Sequence, residues 1–158
     1  MLHLSAVFAA AAQSDRDTAA THLDEAAAVA GRMDSEVGTF AQLWFGTVNV
    51  GIWRTSVATE AGEGGKITEI AGGVHAEVIP SPSRQAEFYA DFGRSMLREK
   101  ATREHGLATL LRAEKLAPQR VHNDVFVREA VADQLRSARR DAGGRELRGL
   151  AYRMGIAG

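Results

Sequence analysis

The chain has 158 residues, enough for one domain with one core, and its 19 basic and 20 acidic residues leave a net charge of −1, so no global positive field draws it to nucleic acid or anionic membrane. With no cysteine, disulfide scaffolds, thiolate metal sites and cysteine nucleophiles are excluded. No apolar run reaches the roughly 18–20 residues a membrane span needs, and the apolar stretch 2–12 lacks the basic residues that open a secretory signal, which predicts a soluble, cytoplasmic protein.

In chain order, Leu4, Val7, Phe8 and Ala11 recur at helical spacing. Ser14, Asp15, Arg16 and Asp17 break that pattern and supply a cap for a second helix over 18–32, which carries Ala19, Leu23, Ala26 and Ala27 on one side. The stretch 39–62 reads as a long helix with two faces. Phe40, Leu43, Trp44, Val48 and Ile52 form a broad apolar stripe, and Gln42, Gly46, Asn49, Trp53, Ser56 and Glu60 form a second line suited to a groove wall. Gly62, Gly64 and Gly65 make a turn before a shorter helix over 66–74. They are not a phosphate loop: Glu60 stands where the motif needs its first glycine, Ile67 where it needs a hydroxyl, and no strand precedes them. Pro80 and Pro82 mark a connector.

The next helix, 84–100, places Tyr89, Phe92 and Met96 on one face with Gly93, whose small size admits a close neighbour. Gly106, Leu110 and Ala113 pattern its partner, which Pro118 terminates by lacking an N–H and disfavouring helical geometry at Ala117. A helix over 121–140 follows, capped by Asn123 or Asp124, with Val127, Ala130, Val131 and Leu135 inward. Asp141, Ala142, Gly143 and Gly144 end it. A last amphipathic helix over 145–154 presents Leu147, Leu150, Ala151 and Met154 and suits the open end of a stack. No segment alternates with period two, so the fold class is all-α, with about eight helices as antiparallel pairs.

The order Tyr89, Phe92, Gly93, Met96, Gly106, Leu110, Ala113, Pro118 resembles the tetratricopeptide signature, with one extra residue in the turn and Gly106 where alanine is usual. An ordinary antiparallel helical hairpin is the plainer reading of the same segment. The resemblance implies a single tetratricopeptide-like domain over 1–158, with repeats at about 2–32, 40–75 and 84–118, C-terminal helices over 121–155, and a right-handed superhelical stack closed by a capping helix. Over nearly the full length the chain is similar to the C-terminal sensor region of actinobacterial transcription regulators that carry a lambda-repressor-like helix-turn-helix domain. The similarity rests on Val48-Asn49-Val50 through Val57 with the Glu63-Gly64-Gly65 turn, on Leu111-Arg112-Ala113-Glu114-Lys115-Leu116-Ala117-Pro118, and on Arg145-Glu146-Leu147-Arg148-Gly149-Leu150-Ala151. It implies binding of a small molecule or peptide effector, or dimerisation, that controls a regulator protein. No helix-turn-helix segment precedes the repeats in this sequence, so DNA binding is not carried over.

In such arrays the first helices line the concave face. The groove residues expected there are Trp44, Asn49, Trp53 and Arg54 from the earlier helix, and Tyr89, Asp91 and Arg94 from the later one. Aromatic rings stack ligands, Asn49 donates and accepts hydrogen bonds, and Arg54 forks onto a carboxylate or phosphate. The competing reading makes both tryptophans core and makes Arg84, Glu87, Asp91, Arg94 and Arg98 a solvated ion-pair ladder. Truncating Trp53 separates the first pair: a stacking ring costs binding more than folding, and a core ring costs both.

The five histidines have no i, i+4 pair and no HExxH, so a metal site would have to be assembled by the fold. Catalytic residues, cofactors and metal are therefore expected to be absent, and the chain is not read as an enzyme. Arg136, Arg139, Arg140, Arg145, Arg148 and Arg153 are interleaved with Asp133, Asp141 and Glu146, the pattern of a solvated face. The expected function is an effector-sensing or interaction domain. A protein-protein adaptor is the alternative, and a helical enzyme of a natural-product pathway is third.

Overall fold

The computed structural model describes residues 1–138 and 144–156. Within them the chain is all-helical, with nine α-helices and no strand. None of these helices is long and apolar enough to cross a membrane. The expected break at Asp141, Ala142 and Gly143, together with Arg139 and Arg140, lies outside the described residues.

The chain divides into two compact units, residues 1–81 and 82–158. In the first, α1 (Leu2–Ala12) and α2 (Arg16–Ala30) form a hairpin whose core is Leu4, Val7 and Ala10 against Ala19, Leu23, Ala26 and Ala30. Alanines dominate because small side chains let two helices approach closely. Asp15 caps α2: its carboxylate accepts the Thr18 N–H at 3.1 Å, which satisfies an orphan donor, and hydrogen bonding from the Thr18 side chain, then its backbone, holds the carboxyl below its usual range. Phe8 departs from the expected inward set. It is 57% exposed and meets Trp53 edge-to-face at 5.2 Å.

The helix expected from residue 39 begins at residue 47, as α3 (Thr47–Glu60). Residues 39–46 are irregular, with a single 3-10 turn at Phe40–Gln42 and left-handed backbone at Ala41, Gln42 and Trp44. Local propensity loses here to backbone pairing: Gly38 N–H donates to the Phe45 carbonyl at 2.7 Å, and Val48 N–H to that of Glu36 at 3.4 Å. The expected apolar stripe is correspondingly split. Val48 and Ile52 are buried, whereas Phe40 is 86% exposed. The Gly62 turn, at φ 74°, leads into α4 (Gly64–Gly72), which packs on α3 through Ile67 and Ala71.

The second unit opens with α5 (Pro82–Met96) and α6 (Arg103–Leu116). They cross at two glycines: a Cβ on Gly93 would lie 2.9 Å from the Gly106 carbonyl oxygen, and one on Gly106 would lie 2.8 Å from that of Gly93. Tyr89 and Met96 are buried on the same face. α6 ends before Ala117, as expected, but Pro118 then starts a short helix of its own, α7 (Pro118–Asn123), where its missing N–H costs nothing. That extra helix splits the expected 121–140 segment. α8 (Val125–Ala138) starts after Asp124, whose carboxylate takes the N–H groups of Phe126 and Val127 at 2.9 and 3.0 Å. Val127 and Val131 are buried, and the Gln134 side chain donates to the Leu97 carbonyl at 2.9 Å. α9 (Arg145–Arg153) buries Leu147, Leu150 and Ala151, followed by Met154.

Candidate functional site

A cavity of about 400 Å³ lies in the first unit, where α2, α3 and the turn into α4 meet. Its lining follows from helical spacing. Arg54, Val57 and Ala58 of α3 and its C-cap Ala61 recur at i, i+3, i+4 and i+7, facing Ala19, Leu23 and Asp24 of α2, with Ile70 of α4. Small and apolar side chains make the walls; Arg16, Asp24, Arg54, Glu60 and Glu63 bring charge to them. Arg54 pairs with Asp24 across the helix interface at 3.0 Å, and both side chains are substantially exposed. Arg16 spends one guanidinium N–H on the Ala61 carbonyl at 3.1 Å, which satisfies an acceptor at the C-terminal end of α3. A cavity whose apolar walls carry two guanidinium groups and three carboxylates suits an amphipathic molecule bearing both an anionic and a cationic group, since each guanidinium offers further donors in a planar fork and each carboxylate accepts.

Of the seven expected groove residues, only Arg54 lines this cavity. Trp44 sits in the irregular segment before α3, so it does not share a helix face with Asn49 and Trp53. Asn49 is buried and donates its side-chain N–H to the Leu43 carbonyl at 3.2 Å, which ties that segment to α3. Trp53 packs against the Leu4, Val7 and Leu23 core.

Tyr89, Asp91 and Arg94 belong to the second unit. Tyr89 is buried, with the Arg112 guanidinium 3.9 Å from its ring centroid. Arg94 is 5% exposed, bonded to Asp91 at 2.9–3.0 Å, and lies 5.1 Å from the centroid of Phe126. Within the expected ladder, Arg84 and Glu87 also pair, at 2.7 Å, and Arg120 of α7 joins Glu87 at 3.0 Å. Arg94, Leu97 and Phe126 border a cleft of about 110 Å³, below the size of ordinary ligand sites.

Arg16, Asp24 and Val57 carry no motif that marks them as cavity residues, although the i, i+3, i+4, i+7 run from Arg54 to Ala61 marks that face of α3. A further cluster was equally unmarked. Glu114 of α6 accepts two hydrogen bonds from Arg153 at 2.6 and 2.7 Å and lies 2.8 Å from His122 Nε2. The Arg153 hydrogen bonds hold the Glu114 carboxyl below its ordinary value against the opposing effect of burial, and the guanidinium is raised in turn. Arg128 adds donors to the carbonyls of His122 and Met154.

No family model matches the chain, and neither curated proteins nor solved structures contain a match to it.

Proposed function

We propose that this chain is an effector-sensing module of tetratricopeptide-like helical hairpins, and that its first unit binds a small molecule or the end of a peptide between α2 and α3. The observation that carries this reading is the cavity: about 400 Å³ is within the range of small-molecule sites, and its lining sets the charges of Arg16, Asp24, Arg54, Glu60 and Glu63 around small and apolar side chains. Arg54 would fork onto a ligand carboxylate or phosphate, in competition with or alongside Asp24, while the ligand body lies on Leu23 and Val57. Glu60 and Glu63 suit an ammonium group on the same molecule. Such a ligand touches both hairpins of the unit at once, so it favours the arrangement in which α2 and α3 are set for it over any other. That differential affinity is what lets occupancy alter docking on a regulator protein or on a second copy of the chain. The similarity to sensor regions of transcription regulators supports the same class.

Native mass spectrometry of protein purified from its own host, followed by calorimetry with the retained compound, tests the reading. A co-purifying small molecule is expected, and Arg54→Ala should remove about 1.5–3 kcal/mol of its binding, roughly tenfold to a hundredfold in affinity. Retention of a folded polypeptide in its place points to the adaptor alternative. Unchanged small-molecule affinity in Arg54→Ala removes the cavity from the account.

A further inference from the structure

The fold brings together two histidines that lie 19 residues apart in the sequence. His3, in the first turn of α1, and His22, in the middle of α2, face each other through the same ring atom, with Nδ1 to Nδ1 at 3.1 Å. The rings are tilted by 48° with centroids 5.4 Å apart, and both residues are half-buried. Beside them the hairpin is fixed by Leu4 and Val7 against Leu23 and Ala26, so both imidazoles stand on packed helices. One ring donates and the other accepts in the bond between them.

We propose that His3 and His22 chelate a single divalent transition-metal ion of the copper, nickel or zinc class through their Nδ1 atoms. The separation fits: two nitrogens 3.1 Å apart subtend roughly 95–102° at an ion about 2.0–2.1 Å from each. That lies between the roughly 90° of cis ligands in tetragonal or octahedral sites and the roughly 109° of tetrahedral ones. Imidazole nitrogen is a preferred donor for these ions, whereas magnesium and calcium require oxygen.

Binding requires no net proton release from the neutral pair. The ring that carries its proton on Nδ1 moves it to Nε2, which leaves two Nδ1 lone pairs for the metal. Among the described residues no third His, Asp or Glu joins the pair, so the remaining coordination positions fall to water or to an incoming ligand. The ion would staple α1 to α2 and keep open positions. Neither histidine lines the cavity of the proposed function, so the two readings stand or fall separately.

The test is titration of the full chain with Cu²⁺, Ni²⁺ and Zn²⁺, each alone, by calorimetry and by thermal unfolding. Saturable one-to-one binding with a rise in Tm is expected for at least one ion. Removing one arm of the chelate, as His3→Ala or His22→Ala, should lower the affinity roughly tenfold or more and abolish the Tm rise. If either alanine variant unfolds, His22→Asn and nitrogen-15 imidazole spectra of the unaltered protein decide: the Nδ1 resonances of His3 and His22 should move together, ahead of those of His75, His105 and His122. The proposal is overturned by binding that survives in the double variant, by other histidines responding first, or by no binding of any of the three ions.

Discussion

Glu114 is the residue on which the end of the second unit turns, because its carboxylate, mostly buried, is shared between Arg153 of α9 and His122 of α7. Its depressed folded value means that the stabilisation is complete above the ordinary carboxylate value of 4.5 and is lost as pH falls through the folded value. Glu114→Gln is therefore expected to cost about 2 kcal/mol near neutrality, less than a fully buried pair because Arg153 is about half-exposed. Urea unfolding at stepwise lower pH should show the gap to the unaltered protein closing as Glu114 itself becomes neutral. A gap independent of pH would mean that shape, not charge, holds α9. Trp53 poses a different question at the same scale. Packed on the core of the α1–α2 hairpin and edge-on to Phe8, it should lose about 2–4 kcal/mol of stability as Trp53→Ala. Ligand affinity of the protein that remains folded should be unchanged, since Trp53 does not line the cavity. A selective loss of binding would restore the ring to a stacking role.

Among the elements, the crossing of α5 and α6 was the most legible in sequence and has the clearest cause. Gly93 and Gly106 are small because each faces the other helix's backbone, where a methyl group would meet a carbonyl oxygen at under 3.0 Å. A clash with backbone cannot be relieved by turning a side chain. Gly93→Ala and Gly106→Ala should each cost about 1–3 kcal/mol despite the better helix propensity of alanine, and the double variant should be less than additive once the helices have separated. Denaturant midpoints of the three variants check this; a stabilised single variant would show that the crossing has slack. The segment ahead of α3 was illegible for an equally physical reason. Phe40, Leu43 and Trp44 continue the spacing of Val48 and Ile52, and periodicity cannot tell a helix from a loop whose apolar residues happen to fall in register. What delays the start of the helix to Thr47 is pairing at a distance, between Gly38 and Phe45 and between Glu36 and Val48, with Asn49 holding Leu43. Pro118 shows the same limit in another form, since one residue both ends α6 and opens α7.

For the whole molecule, helical content and most inward faces could be read from local spacing, because α1, α2, α5, α6 and α9 each bury one stripe. The candidate site could not. Its members Arg16, Asp24 and Arg54 come from helices of two different hairpins, and only the fold says that Asp24 and Arg54 meet. All of the cavity's lining nonetheless falls within residues 1–81, one of the two compact units. This gives an expectation for the chain cut at the connector between Ser81 and Pro82. The fragment 1–81 carries its own core in Leu4, Val7, Leu23, Ile52 and Ile67, but at 81 residues it is near the size at which a single core leaves only about 3–5 kcal/mol. It should fold, with a lower Tm than the full chain, and bind the effector retained by the full chain with an affinity within about threefold, since every contact in the proposed site is present. Circular dichroism and calorimetry on the fragment measure both quantities. A folded fragment that has lost binding would place the effector outside the cavity, whereas an unfolded fragment whose helicity returns on adding the effector would show that ligand and core act together to hold α2 against α3.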